Sequence, residues 1–233
     1  MIPIVLTGTI IPNAIKVVHC DWRKRRTEYL DAIKFYKKFS KVYFIENSHY
    51  DLLYDSAFSN DERFQCFKFE ASKEFERGKG YQEFEMLDEF VKAGLEEDSF
   101  IKVTGRYIYK NFGKILSLIM SEDGKYELVI DTFIRRKVAL TTLFYVRRET
   151  YLQHFQDRYL EMDDSKGIWA EHVIYRILKN VGSYACLPRA PILNAISGST
   201  GETIRMNDHG AKLRVKDVQR ILFRALNIKQ LLR

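Results

Sequence analysis

The sequence predicts an α/β domain with a largely parallel sheet and a helical C-terminal part. Three observations predict it. Short apolar runs alternate with longer stretches of helical periodicity from residue 1 to about 135, the pattern of parallel strands joined by crossover helices. Several runs end in small or polar residues, where an open α/β sheet carries its ligand loops. Beyond residue 135 the clearest periodic stretches are helical.

The elements follow in order. Residues 2–6 form an apolar run that stops at Thr7-Gly8-Thr9, a buried strand ending in a loop. Residues 27–39 (TEYLDAIKFYKKF) place Tyr29, Leu30, Ile33, Phe35 and Tyr36 at the spacing of an amphipathic helix. A second strand, 41–45, ends in Glu46-Asn47-Ser48, and 64–69 reads as a third. Residues 80–95 carry Tyr81, Phe84, Leu87, Phe90, Val91 and Leu95 on one helical stripe. Strands four and five are expected at 100–103 and 126–133, and helices at 148–159, 168–178 and 215–232. With 4 prolines, 12 glycines and no repeat, nothing marks a linker, so one domain spanning 1–233 is expected.

Composition narrows the classes. A chain of 233 residues with 46% hydrophobic side chains can bury a full core. The net charge of +7 suits an anionic partner: nucleotide, nucleic acid, phospholipid or phosphorylated substrate. A soluble surface rich in lysine is the plainer alternative. Cys20, Cys66 and Cys186 are far apart and form no C-x-x-C, which argues against a disulfide framework or zinc site and for a reducing compartment. The N-terminus lacks the basic region and cleavage pattern of a signal peptide, and no apolar run approaches the ~20 residues of a membrane span. A cytoplasmic protein is expected.

Polar residues at the strand ends are the candidate site. Thr7-Gly8-Thr9 offers hydroxyls and a close backbone approach, or is an ordinary turn. Gly78-Lys79-Gly80 opens a helix, where free N–H groups and Lys79 suit a diphosphate; it is not a Walker phosphate loop. Lys102 lies inside an apolar strand and needs an anion, since an unpaired buried ammonium is costly. A phosphate would serve, and so would Glu83 or Asp131. Arg106, just beyond the strand, presents a bidentate fork. Asp131 ends the fifth strand as a base, ligand or cap, and Glu171 follows Trp169, an acid beside an aromatic platform. Ser197-Gly198-Ser199-Thr200-Gly201 is a polar loop that either closes over a ligand or merely connects.

Together, Thr7-Gly8-Thr9-Ile10, a basic helix with Arg25 and Tyr29, FIENSHYDL (44–52), GKGYQEFEML (78–87), IKVTGRYIYKN (101–111) and ISGSTGE (196–202) resemble small bacterial glycosyltransferases of capsule and lipopolysaccharide O-antigen clusters. The resemblance covers most of the chain. It implies a GT-A-like fold, with a nucleotide-sugar half at 1–135 and an acceptor half at 136–233. It implies donor contacts from Thr7, Gly8, Glu46, Asn47 and Ser48 toward base and ribose, and from Lys79, Lys102 and Arg106 toward the diphosphate. Thr9, Gly80, Thr104, Gly105 and Tyr107 would add further donor contacts.

The sequence departs from the broad GT-A pattern in one respect: it contains no Asp-x-Asp. Arg106, with Lys79 or Lys102, is expected to supply the positive charge that a metal otherwise gives the leaving diphosphate, so no metal and no cofactor are expected. An inverting transfer needs a base, for which Asp131 and Glu171 are equal candidates and Glu83 a third. The C-terminal helix pairs Val215, Val218, Leu222, Ala225 and Leu226 with Lys212, Arg214, Lys216, Arg220, Arg224 and Lys229. Such a helix lies on anionic lipid, as would suit a polyprenyl-linked glycan acceptor at the inner membrane face, or packs on its own domain. The partners implied are a nucleotide sugar and a glycan or lipid-linked glycan. The rivals are a basic nucleic-acid-binding module and another nucleotide-dependent transferase; the scattered cations form no nucleic-acid motif, so nucleic acid is not expected.

Overall fold

The computed structural model describes residues 1–48, 61–122, 124–207 and 210–229. Part of the 44–52 block (49–52) and the end of the expected C-terminal helix (230–232) lie outside them. Strand β1 is Ile4–Gly8, β2 Val42–Glu46, β3 Phe64–Lys68, β4 Ser99–Thr104 and β5 Leu128–Phe133. β1, β2, β4 and β5 coincide with apolar runs in the sequence, because strands covered on both faces are mostly apolar; β3, at the sheet edge, mixes buried and exposed residues. Helix α1 (Trp22–Tyr36) begins earlier than its apolar stripe. Asp21 caps it by accepting from the N–H groups of Arg23 (3.0 Å) and Lys24 (3.3 Å). Helix α2 is Lys79–Ala93 and α3 Phe112–Ser121.

β6 (Val138–Arg147) was not anticipated, nor was α3. A short 3-10 turn at Ile134–Arg136, closed by Lys137 in the left-handed region (φ 52°), folds β6 back on β5. The sheet order is β3-β2-β1-β4-β6-β5-β7, with β7 at Tyr184–Ala185; only β6 runs antiparallel. Helix α4 (Arg148–His154) stops short of residue 159, where Asp157 adopts φ 63°. Helix α5 is Ala170–Ile177, and β8 (Leu193–Ile196) pairs with β9 (Thr203–Met206) in a separate hairpin. Helix α6 (Gly210–Ala225) closes the described chain.

Alternation along each strand divides the core in two. Ile4, Leu6, Phe44, Ile101 and Val103 face α1 and α3, which contribute Ile33, Tyr36, Phe112 and Ile115. Val5, Tyr43, Ile45, Phe100 and Phe144 face α2, α4 and α5, which contribute Phe84, Phe90, Tyr151 and Val173. β1 pairs with β2 on one side and β4 on the other. The chain therefore winds away from β1 in both directions, and a crevice opens beyond the carboxyl ends of β1 and β4.

Candidate active site

The floor of the crevice is where β1 and β4 end. The Gly105 N–H donates to the Thr7 carbonyl at 2.9 Å, and a Cβ at Gly105 would stand 2.6 Å from that oxygen. The glycine expected to admit a ligand instead admits the neighbouring strand end, and Tyr29 packs over it. Lys102 is wholly buried beneath this floor. Its ammonium meets Glu83 Oε1 at 2.7 Å, the Thr141 carbonyl at 2.8 Å and Thr104 Oγ1 at 3.2 Å, which uses its three protons. Lys102 is thus the partner of a carboxylate of its own chain rather than a diphosphate ligand. Of the two acids the sequence left open, the partner is Glu83.

Glu83 comes from the second turn of α2 and also accepts from Thr7 Oγ1. Burial works against its charge. The Lys102 ammonium, with hydrogen bonds from Lys102 and Thr7, outweighs burial and holds the carboxyl below the ordinary glutamate range.

The start of α2 forms one wall. Gly78, at φ 95°, leaves no room for a side chain because the Asp164 carboxylate lies where its Cβ would be. Asp164 accepts from the backbone N–H groups of Lys79 and Gly80. The anion at this helix start is therefore a carboxylate of the protein, not the diphosphate the sequence suggested. Burial raises the Asp164 carboxyl above its usual value, against Lys79, those N–H bonds and Lys16. Lys16 itself donates to the Asp164 carbonyl at 2.7 Å. The Lys79 ammonium reaches over the crevice to Ser199 Oγ, in the β8–β9 turn.

The segment 9–20 straps the opposite side. Arg25, from α1, holds it through the Thr9, Ile10 and His19 carbonyls. Glu46 and Ser48 hold it through the N–H groups of Ile10 (3.1 Å) and Ile11 (3.2 Å), and Thr9 Oγ1 donates to Asn47 at 2.6 Å. Glu46, Asn47 and Ser48 thus shape the strap rather than line the crevice. The polar loop after β8 closes onto the strap, as Val18 and His19 N–H donate to the Gly198 carbonyl. Arg106 ties α1 to the end of β8, with Nη1 2.9 Å from Glu28 and 3.3 Å from the Ile196 carbonyl.

The resulting cavity, of ≈140 Å³, brings together Thr7, Gly8, Thr9, Lys79, Thr104, Arg106, Tyr107 and Glu171 of the expected residues. Gly80, Lys102, Gly105 and Asp131 do not line it. Asp131 is buried and forked by Arg220 at 2.5 and 2.7 Å, and accepts from Leu187 N–H at 3.0 Å, which makes it a structural anchor of α6. Sequence reasoning missed Gln82, Thr141 and Thr142. Gln82 is 3% exposed, and its Nε2 has no partner among the described residues. Thr141 and Thr142 come from β6, the strand not foreseen. Trp169 stands exposed next to Glu171 and stacks on His172 at 5.2 Å.

GT-A folds usually hold a divalent cation, and the described residues of the cavity offer few ligands for one. The carboxylates of the cavity are Glu83, tied to Lys102, and Glu171, among the cations Arg25, Lys79 and Arg106. Among the described residues, no three His, Cys, Asp or Glu side chains come close enough to share a metal.

No family model matches the sequence, and no curated protein is similar to it. Solved structures are. The galactosyltransferase LgtC, in complex with donor and acceptor sugar analogs, superposes with a TM-score of 0.51 at 7% identity, over 79% of this chain and 73% of that one. An active-site mutant of LgtC gives 0.50 at 7% identity, over 79% and 72%. The glycosyltransferase GlyE of Streptococcus pneumoniae TIGR4 gives 0.47 at 10% identity over 79% of this chain, which spans only 44% of GlyE. Sheet order, crevice position and the two LgtC likenesses agree on one architecture: the chain has a GT-A-like fold.

Proposed function

We propose that the protein is a glycosyltransferase that moves a sugar from a nucleotide-sugar donor to a glycan or polyprenyl-linked glycan. The setting suggested by its sequence blocks is cytoplasmic assembly of bacterial capsule or lipopolysaccharide O-antigen. One observation carries the reading. The crevice at the switch point of a GT-A-like sheet is lined by Arg25, Lys79 and Arg106 together with an acid, Glu171, that has no ion pair among the described residues. Cations suit a diphosphate, and an uncommitted carboxylate suits a hydroxyl proton.

In this reading Arg106 and Lys79 hold the diphosphate, and Gln82 Nε2 donates to the donor. Glu171 takes the proton of the acceptor hydroxyl as its oxygen bonds to the anomeric carbon. The bond from that carbon to the phosphate oxygen breaks, and its electron pair leaves with the nucleoside diphosphate. Glu83 stays ionised in its pair with Lys102 and serves as an acceptor for a donor hydroxyl.

The experiment is thermal stability of the protein with UDP, GDP, CMP or dTDP, each with Mn²⁺ or EDTA. It is followed by turnover of Glu171→Gln. A rise with one nucleotide that survives EDTA supports the reading, as does a variant that keeps nucleotide binding but turns over at least about a hundredfold more slowly. Strict Mn²⁺ dependence would remove the role given to Arg106. Salt-sensitive RNA or DNA binding without any nucleotide response would replace the reading altogether.

A further inference from the structure

A surface amphipathic helix normally buries its apolar stripe. Helix α6 does the reverse. Arg220 and Arg224 face the body: Arg220 forks Asp131, and Arg224 meets Glu122 and the Cys186 carbonyl. Asp217 accepts from the Ala190 N–H at 2.8 Å and from Arg189 at 3.3 Å. These polar contacts and Phe223, packed near Phe133, Val138 and Leu140, fix the helix. Val215, Val218, Ile221, Leu222 and Leu226 point outward, each half or more exposed. Packing on the described residues of its own domain therefore does not account for the stripe.

The same contacts set α6 beside the turn between β5 and β6. That turn adds exposed Ile134 and the exposed cations Arg135, Arg136 and Lys137. On α6 itself, Lys212 and Arg214 are exposed, and the helix's one acid, Asp217, is the one paired with Arg189. Two elements distant in sequence thus lie side by side, one exposing an apolar stripe and both exposing cations.

We infer that this surface docks on an anionic lipid bilayer, with α6 lying in the headgroup plane. Charge decides the occupant. A second copy would set these cations against their own kind, whereas anionic headgroups meet the cations while acyl chains take the stripe. Topology gives the docking a direction. β5 runs the same way as β1 and β4, since both β4 and β5 are antiparallel to β6. The β5–β6 turn therefore lies at the carboxyl edge of the sheet, the edge on which the crevice opens. Resting on the reaction proposed above, this orientation turns the crevice toward an acceptor carried by the same bilayer.

The test is sedimentation of the full chain with vesicles of phosphatidylcholine alone or with 30% phosphatidylglycerol. Salt dependence is measured in parallel, and melting and nucleotide binding serve as folding controls. Binding to the anionic vesicles that falls with salt is expected. Arg135→Gln/Arg136→Gln should weaken it about 25-fold, about fivefold per cation. Val218→Ser/Ile221→Ser/Leu222→Ser should weaken it at least about tenfold, with melting unchanged because all three are exposed. Equal binding to neutral vesicles, no binding to either, or variants that bind like the parent would overturn the inference. So would a dimer that the serine variant dissolves. Vesicle binding without sugar transfer would sink the proposed reaction and leave the surface standing; transfer to a soluble acceptor without vesicle binding would do the opposite.

Discussion

Replacing Lys102 by Met tests whether this lysine serves the fold or the ligand. The substitution leaves Glu83 half-buried without its cation and takes a donor from the Thr141 carbonyl and Thr104. Breaking a fully buried pair from one side costs about 3–5 kcal/mol. The Glu83 side chain keeps 24% of its exposure, so water screens part of the loss and about 3 kcal/mol is expected. In a domain of this size that lowers Tm by roughly 6–12 °C. The loss carries a pH signature. In the parent, the Glu83 carboxyl is held below its unfolded value, so its contribution is complete above the ordinary glutamate range and fades as pH falls through the folded value. Without Lys102, burial penalises the ionised form against only the Thr7 hydrogen bond and the Lys79 charge. The gap between parent and variant is therefore widest near neutrality and narrows in acid. Urea unfolding from pH 4 to 8 measures it. The Lys102→Met/Glu83→Gln double variant should recover at least about half of the loss, because no orphan charge remains. A loss under about 1 kcal/mol, a gap that ignores pH, or a double variant no better than the single would refute the pairing.

Three further outcomes are expected. Asp131→Asn should cost about 3 kcal/mol by stranding Arg220, while turnover per folded molecule stays unchanged; lost turnover at full stability would return Asp131 to the catalytic centre. Gly105→Ala should cost about 2 kcal/mol in urea unfolding, because the Thr7 carbonyl must retreat from the new methyl; an unchanged midpoint would show that the strand ends part freely. Asp88 is raised to about 6, chiefly by burial, against hydrogen bonds from Tyr151 and the Asp157 N–H. Its share of stability is complete below the ordinary aspartate range and is lost as pH rises through 6. A carboxyl NMR titration should place its midpoint near 6; a midpoint near the ordinary value would show that the site is wet.

β1, β2, β4 and β5 were legible because a strand covered on both faces can be little but apolar, and β3 because its apolar residues recur among polar ones in a short run. β6 was not, since Thr141-Thr142 interrupts its pattern and its place depends on a turn closed by Lys137 in the left-handed region. Thr7, Lys79 and Arg106 could be read as candidates because each stands at a strand end or at the start of a helix, and the structure brings all three to one cavity. What each touches could not be read. The anion at α2 is Asp164, and the partner of Lys102 is Glu83, two pairings made by the folded chain and by no local spacing. Gln82 gave no signal of its own in the sequence, since polar residues stand beside it on α2; its burial is what marks it. The stripe on α6 was visible, but the direction it faces was set by Arg220 and Arg224 finding acids elsewhere.

Arg25 has an effect beyond holding the strap. Its guanidinium is spread over three carbonyls and the Tyr29 hydroxyl, with no carboxylate at ion-pair distance among the described residues. Dipoles fix it in place without cancelling its charge. The crevice therefore keeps a full positive charge in its wall, where the surrounding protein limits screening, while the net +7 of the chain acts farther out. An approaching anion is drawn in two stages with different ranges. Added salt, which shortens the Debye length to about 8 Å at physiological strength, removes the first stage and leaves the second. Association of an anionic ligand should slow as salt rises, while its residence time stays nearly constant.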